Sequence, residues 1–218
     1  MIPKPRVIAF VDGFNLYHAI DDLNKSHLKW VNLWKLCEVF APGSDWALGQ
    51  VYYFSAYAPW RKHERHREYV RALEAAGVSV VLGKFKDKDR RCRCCSHFWT
   101  DHEEKETDVN IALQLVVNVD NYDRALLISG DSDLGPAVRI VKTRHPDKRI
   151  TIVAPVGRRH SRELIMAAGG NSNAASMLEI HVERSLFPQV VTDPNGLGVA
   201  RRPAAYDPPL ATRRPGYP

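Results

Sequence analysis

The chain has 218 residues, 44% hydrophobic and 26% charged, which is the composition of a folded globular protein and excludes wholesale disorder. Its apolar runs, such as Val7-Ile8-Ala9-Phe10-Val11, fall far short of the ~20 residues a membrane-spanning helix needs, which excludes that class. Thirty-one Lys and Arg against 25 Asp and Glu leave +6, a balance that suits a polyanionic partner without specifying one.

Short apolar runs alternate with helical patterns along the chain, the mark of a mostly parallel sheet covered on both faces. The N-terminal Met1-Ile2-Pro3-Lys4-Pro5-Arg6 carries no signal-peptide core and leads into a predicted strand at 6–11, followed by a helix at 14–23. In the next helix, 31–40, Leu33, Leu36, Cys37 and Phe40 form one buried stripe, so Cys37 is expected in the core. A strand at 50–55 brings Tyr52, Tyr53 and Phe54 to the core, while Tyr57 and Trp60 lie beyond its end, where they are candidates to stack on a base. The helix 60–76 opens on a basic cluster, Arg61 to Arg67, and stops at Gly77. Strand 78–82 then gives way to a basic insertion, 84–102, expected as a loop. Within it, Cys92, Cys95, His97 and His102 have the residue types of a structural Zn²⁺ site, although the second C-x₂-C is missing and reduced surface thiols are the alternative. Helix 108–118, strand 125–129, helix 133–144, strand 149–153, helix 161–168 and strand 178–182 complete the pattern.

Residues 1–188 thus read as one domain. The Pro- and Arg-rich tail, 189–218, keeps no apolar period and is expected to be extended or disordered, a surface for a protein partner or a second copy. Cysteine usage and the absent leader point to a cytoplasmic protein away from membranes.

The acids are the informative residues. In an open sheet ordered 3-2-1-4-5, the first and fourth strands are neighbours, and the crevice at their carboxyl ends is the usual ligand site. The first strand runs into Asp12-Gly13 and the fourth into Ser129-Gly130-Asp131-Ser132-Asp133, so Asp12, Asp131 and Asp133 converge there. With Thr107 as helix cap, Asp108 joins them from the first turn of its helix. Each acid alone has a structural explanation: a turn dipeptide, a helix cap, a charge placed on a helix dipole. Their convergence does not, because carboxylates at 4 Å repel by about 4 kcal/mol at an effective dielectric near 20. A hard divalent ion, Mg²⁺ or Mn²⁺, relieves that repulsion, and oxygen-only donors select it over zinc. The sequence contains no G-x-G-x-x-G after its first strand, no phosphate loop of the G-x-x-x-x-G-K-[ST] type and no G-x-S-x-G elbow. Metal-assisted phosphodiester hydrolysis fits what remains.

The strings VDGFN, EEKETDVNIA and LLISGDSDL, with the P-x-G-R-x-x-S-x-x-L pattern at 155–164, resemble the NYN domain family of PIN-like nucleases, in its LabA-like branch. That resemblance, spanning about residues 6–188, implies a PIN-like Rossmannoid fold and a Mg²⁺- or Mn²⁺-dependent ribonuclease acting on single-stranded or structured RNA. It implies Asp12, Asp108, Asp131 and Asp133 as the catalytic, metal-binding acids and Asn15 as the residue that orients the first-strand loop or a substrate phosphate. The chain departs from many relatives at Gln114, and at Ala168 to Asn171, where an Asp is common; Glu104 or Glu106 is then the replacement carboxylate or a solvated loop residue. Lys105, Arg158 and Arg159 are the candidates for phosphate contacts. The rival expectation is a catalytically weak nucleic-acid-binding adaptor that keeps the fold.

Overall fold

A computed structural model of the chain describes residues 3–57, 64–193 and 195–208; Trp60 and Arg61 to His63 lie outside them. A six-stranded, wholly parallel sheet forms the centre. Its strands are β1 (Arg6–Asp12), β2 (Ala47–Ser55), β3 (Ser79–Leu82), β6 (Arg124–Ile128), β7 (Arg149–Ala154) and β8 (Ala174–Ser176), in the order β3-β2-β1-β6-β7-β8. The expected order 3-2-1-4-5 is therefore the observed one, with β6 and β7 as the fourth and fifth strands. Two further two-stranded ladders, β4 (Lys84–Arg91) with β5 (Phe98–Lys105) and β9 (Val190–Thr192) with β10 (Gly198–Arg201), sit outside this sheet.

Alternation along the central strand separates two cores. Val7, Ala9 and Val11 of β1 face α1 (Gly13–Asp21), α2 (Leu33–Phe40) and α3 (Glu64–Ala75), through Leu16, Leu36, Cys37 and Leu73. Ile8 and Phe10 face the other way, against α4 (Thr107–Val117), α5 (Gly135–Arg144) and α6 (Arg162–Ala167), through Ile111, Leu115, Val138 and Leu164. With both faces covered, β1 is apolar on both sides, which is why it reads as an unbroken run. Among the described residues no helix is long and apolar enough to cross a membrane.

Three expectations are corrected. Residues 178–182 are not a strand: α7 (Glu179–Arg184) occupies them, with Val182 buried and Ile180 exposed, and His181 Nδ1 accepts the Leu178 N–H at its start. The sheet edge is instead β8, whose Ala174-Ala175-Ser176 carries no β-branched or aromatic signal. The basic insertion is not a loop but the hairpin β4–β5, in register from Lys84 opposite Lys105 to Arg91 opposite Phe98. It is stitched by charge, with Lys88 to Glu103 at 3.2 Å and Arg90 to Asp101 at 3.4 Å, so neither face shows the apolar alternation of a half-buried strand. Among its described residues the tail is folded: β9 and β10 pair, Val191 and Ala200 are buried, and the short turn Ala204–Tyr206 follows.

Phe10 lies fully buried between Tyr52, stacked at 5.7 Å, and Tyr122, edge-on at 6.1 Å. Phe10→Ala should lower the unfolding free energy by about 3–5 kcal/mol. Urea unfolding followed by fluorescence reads it, and a loss below about 1 kcal/mol would contradict this packing.

Candidate metal centre

The site forms where the winding direction of the sheet reverses, between the carboxyl ends of β1 and β6. Asp12, the last residue of β1, is buried and caps α1, its Oδ1 accepting the Asn15 N–H at 3.0 Å. Its Oδ2 accepts the Ser129 hydroxyl at 2.8 Å, and the same Ser129 oxygen accepts the Asp131 N–H at 3.0 Å. Asn15 Oδ1 reaches across to the Gly130 N–H at 3.2 Å. The two strand ends are thus tied by three side chains, and Asp131 in turn caps the short turn Ser132–Leu134 by accepting the Asp133 N–H at 2.9 Å. Gly13 is required in this arrangement, because a Cβ there would lie 2.4 Å from the Phe54 carbonyl oxygen.

The third side comes from the foot of the hairpin β4–β5. Thr107 is the first residue of α4 rather than its cap; Glu104 Oε1 accepts the Thr107 N–H at 3.0 Å and the Thr107 hydroxyl as well. Asp108 stands in that first turn, as expected. Gly83 lets the hairpin close, since a Cβ there would meet the Lys105 carbonyl oxygen at 2.6 Å and Glu104 Oε1 at 3.1 Å.

Asp12, Asn15, Glu104, Asp108 and Asp131 line one cleft of about 610 Å³. Its remaining walls are aromatic (Phe14, Tyr17, Tyr53, Tyr69, Phe85, Tyr206) and basic (Lys29, Arg65, with His18, His66 and His102). Burial raises the Asp12 carboxyl, opposed by the Asn15 and Ser129 hydrogen bonds and reinforced by the charge of Asp131. Burial, and then the charges of Asp12, Asp131, Glu104 and Asp133, push the Asp108 carboxyl up to about 6. The acids are near enough to repel. Even so, among the described residues no three His, Cys, Asp or Glu side chains are gathered tightly enough to cage an ion by themselves.

Other candidates lie elsewhere. Asp133 is exposed and off the cleft lining, acting on it only through its charge. Lys105 pairs with Glu103 at 3.1 Å on the far side of the hairpin, Arg158 pairs with Asp22 at 2.6 Å, and Arg159 is exposed, so none of the three lines the cleft. Glu106 is taken by Lys84, and Gln114 by Asn118 at 2.8 Å, which leaves Glu104 as the additional carboxylate. Tyr57 packs edge-on against His66 at 4.9 Å and is outside the lining. The zinc set is not assembled either. His102 faces Asp87 at 2.8 Å and enters the cleft, four strand residues (roughly 13 Å) below the turn that holds Cys92 and Cys95, while His97 stacks on Trp99. Sequence reasoning missed Lys29, Arg65, Phe85 and Tyr206. Of these, Arg65 sits in the conspicuous basic cluster, and the others carry no local signal.

The family model of the NYN domain matches residues 6–171. The chain belongs to the NYN domain family. It therefore has a PIN-like nuclease fold, in a family whose members are generally nucleases. The curated relative HspA of Pseudomonas putida, named 6-hydroxy-3-succinoylpyridine 3-monooxygenase, is 30% identical over 127 residues, 56% of this chain but only 39% of that protein. A solved structure of a Vibrio parahaemolyticus protein of unknown function covers 81% of this NYN chain and 95% of its own, at 20% identity and a TM-score of 0.53, a likeness of fold alone.

Asp108 allows a test of the charge crowding. Its folded-state carboxyl is raised from 3.8 to about 6, so its contribution favours folding below the lower value and is lost as pH rises through the upper one. Asp108→Asn, without divalent ions, should therefore melt about 2–4 °C higher than the parent at pH 8, after discounting for its partial exposure, and at the same temperature at pH 3.5. A variant less stable at pH 8 would show that Asp108 is held by attraction rather than crowded.

Proposed function

We propose that the protein is a Mg²⁺- or Mn²⁺-dependent ribonuclease. The observation that carries this reading is that Asp12, Glu104, Asp108 and Asp131 line one cleft at the carboxyl ends of β1 and β6, where their mutual crowding raises the Asp108 carboxyl. The donor set supports a hard ion: all are carboxylate oxygens, and each Asp12 oxygen, though already accepting one hydrogen bond, keeps a lone pair. With no three-carboxylate cage among the described residues, the reading is of an ion held directly by one or two of Asp12, Asp108 and Asp131, and otherwise hydrated, which is how Mg²⁺ commonly sits. When bound, such an ion supplies Lewis acidity for phosphodiester hydrolysis.

The chain's own groups account for the rest. Asp12 is fixed by Asn15 and Ser129 and so presents a preorganised charge. Asp108, less buried than Asp12 and crowded by the neighbouring carboxylates, is the acid whose repulsion a bound cation would relieve most directly. Phe14, packed edge-on against Phe85 at 5.8 Å, offers an apolar wall against a base, and the basic rim opposes the phosphates. The LabA-like character and the cytoplasmic setting suggested by the sequence belong to the same proposal, as does a partner or second copy on the tail. The monooxygenase name of the P. putida relative is not carried over, since the match spans under half of that protein.

A second reading, a nucleic-acid-binding adaptor with feeble catalysis, is favoured by Gln114, which stands bonded to Asn118 where many relatives place an acid. One experiment separates them. Labelled single-stranded RNA should be cleaved only with added Mg²⁺ or Mn²⁺, and Asp12→Asn should lower the rate on the order of 100-fold or more while leaving the circular dichroism spectrum intact. RNA binding that weakens with salt but is accompanied by no metal-dependent cleavage would favour the adaptor.

A further inference from the structure

The tip of the hairpin β4–β5 carries chemistry that the cleft does not use. From Lys86 to Asp101 every residue but Cys92 is exposed, so the outer part of this arm stands clear of both cores. Its last pair, Arg91 opposite Phe98, lies seven residues, roughly 23 Å, from the foot at Lys84 and Lys105. Residues 92–97, between the strands, include three free thiols, Cys92, Cys94 and Cys95. Beside them Phe98 and Trp99 are 66% and 46% exposed, a large aromatic surface left open to water.

The turn is built around Cys92. Its N–H donates to the His97 carbonyl at 2.8 Å and its carbonyl accepts the Ser96 N–H at 3.1 Å, closing residues 92–97 into one loop. Ser96, directly after Cys95, is held in the left-handed region at φ 57°, an uncommon conformation for a residue with a side chain. Within this loop the N–H groups of Cys95 and Cys94 point at the Cys92 sulfur, and their donation holds that thiol below its ordinary range. The Cys95 thiol lies within hydrogen-bonding reach of the same sulfur. Two sulfurs at C-x₂-C spacing that converge from one turn, with backbone N–H donors behind the first, are half of a tetrahedral zinc–thiolate site. The other half is not gathered in this chain. Among the described residues no three His, Cys, Asp or Glu side chains are placed to hold an ion, His97 is stacked on Trp99 and His102 faces Asp87. A structural zinc fills all four positions with protein ligands, so two more thiolates must come from another chain.

The charges at the tip suit a second copy once metal is present. No carboxylate stands between Arg90 and Thr100; Arg90 is paired with Asp101, while Arg91 bonds Ser96 Oγ at 3.1 Å and Arg93 is exposed. Two such tips repel each other when metal-free. A zinc held by four thiolates carries two negative charges, which the arginines of both tips then oppose favourably, and the exposed rings of Phe98 and Trp99 gain a partner surface.

We propose that Cys92 and Cys95 of two copies hold one Zn²⁺ between them, joining the chains arm to arm through a four-cysteine site. Each of the four thiols gives up its proton on binding. The proposal does not depend on the ribonuclease reading, because the tip lies outside the cleft lining. The full chain, reduced and stripped of metal, is titrated with Zn²⁺ and followed by sedimentation velocity. One zinc per two chains should convert monomer to dimer, and EDTA should reverse it. Co²⁺ in its place should give the thiolate-to-metal absorption of a tetrahedral sulfur site, which the carboxylates of the cleft cannot produce. Cys92→Ser combined with Cys95→Ser should abolish both signals, Cys94→Ser and His97→Ala neither, with circular dichroism unchanged in all. One tightly held zinc per monomeric chain, zinc-driven association that survives the double substitution, or no sulfur-bound metal at all overturns the proposal. Metal-independent dimers that reductant disperses would assign the thiols to a disulfide and equally overturn it.

Discussion

The structure turns on one buried carboxylate. Asp12 ends β1, begins α1 and receives a hydroxyl from the end of β6, so a single side chain links the three elements that meet where the winding of the sheet reverses. Ser129 extends the link to Asp131, and Asn15 closes it through Gly130. A carboxylate with almost no access to water is unfavourable by itself, and hydrogen bonds only partly offset the loss of hydration. The fold nevertheless places Asp108, Asp131 and Glu104 around it, adding repulsion to burial. Such an arrangement weakens the folded state by itself, and its relief by protonation or by a cation is what the proposed metal site would draw on.

The sheet was legible because its constraint is local. A parallel strand buried on both faces must be apolar throughout, and β1, β6 and β7 announce themselves in five or six consecutive residues. Their acidic ends then follow from topology, which is why Asp12, Asp108 and Asp131 could be placed in one crevice from residues about 120 apart in the chain. The failures share a different cause. The hairpin β4–β5 is built from pairs such as Lys88 with Glu103, a code that is visible only when the register is known. The edge strand β8 needs nothing but the vacant edge of β7, and Ala174-Ala175-Ser176 meets that need without any strand-like residue. In α7, Ile180 and Val182 alternate as in a strand, yet only Val182 is buried.

The charge of the chain changes meaning with position. Lys105, Arg158 and Arg159 look like phosphate ligands in a string of letters, but each long side chain has a nearer task or points to solvent. A flexible cation on the surface is easily satisfied by any neighbouring acid, so spacing along the chain says little about where it will act. The cations that do enter the cleft, Lys29 and Arg65, are brought there by tertiary packing of the turn at 26–29 and of α3. A net +6 is consistent with an acidic centre that shares its cleft with basic side chains.

The segment after Gln189 is where composition misled most, and the reason is physical. Proline and arginine lower the apolar density enough to resemble a disordered tail, but a strap needs few anchors when the body of the domain already exists. Val191 and Ala200 supply the buried contacts, and Arg201 and Arg202 the polar ones. Through Tyr206 this segment supplies part of the cleft wall, so a stretch that reads as a tail in the sequence belongs to the site.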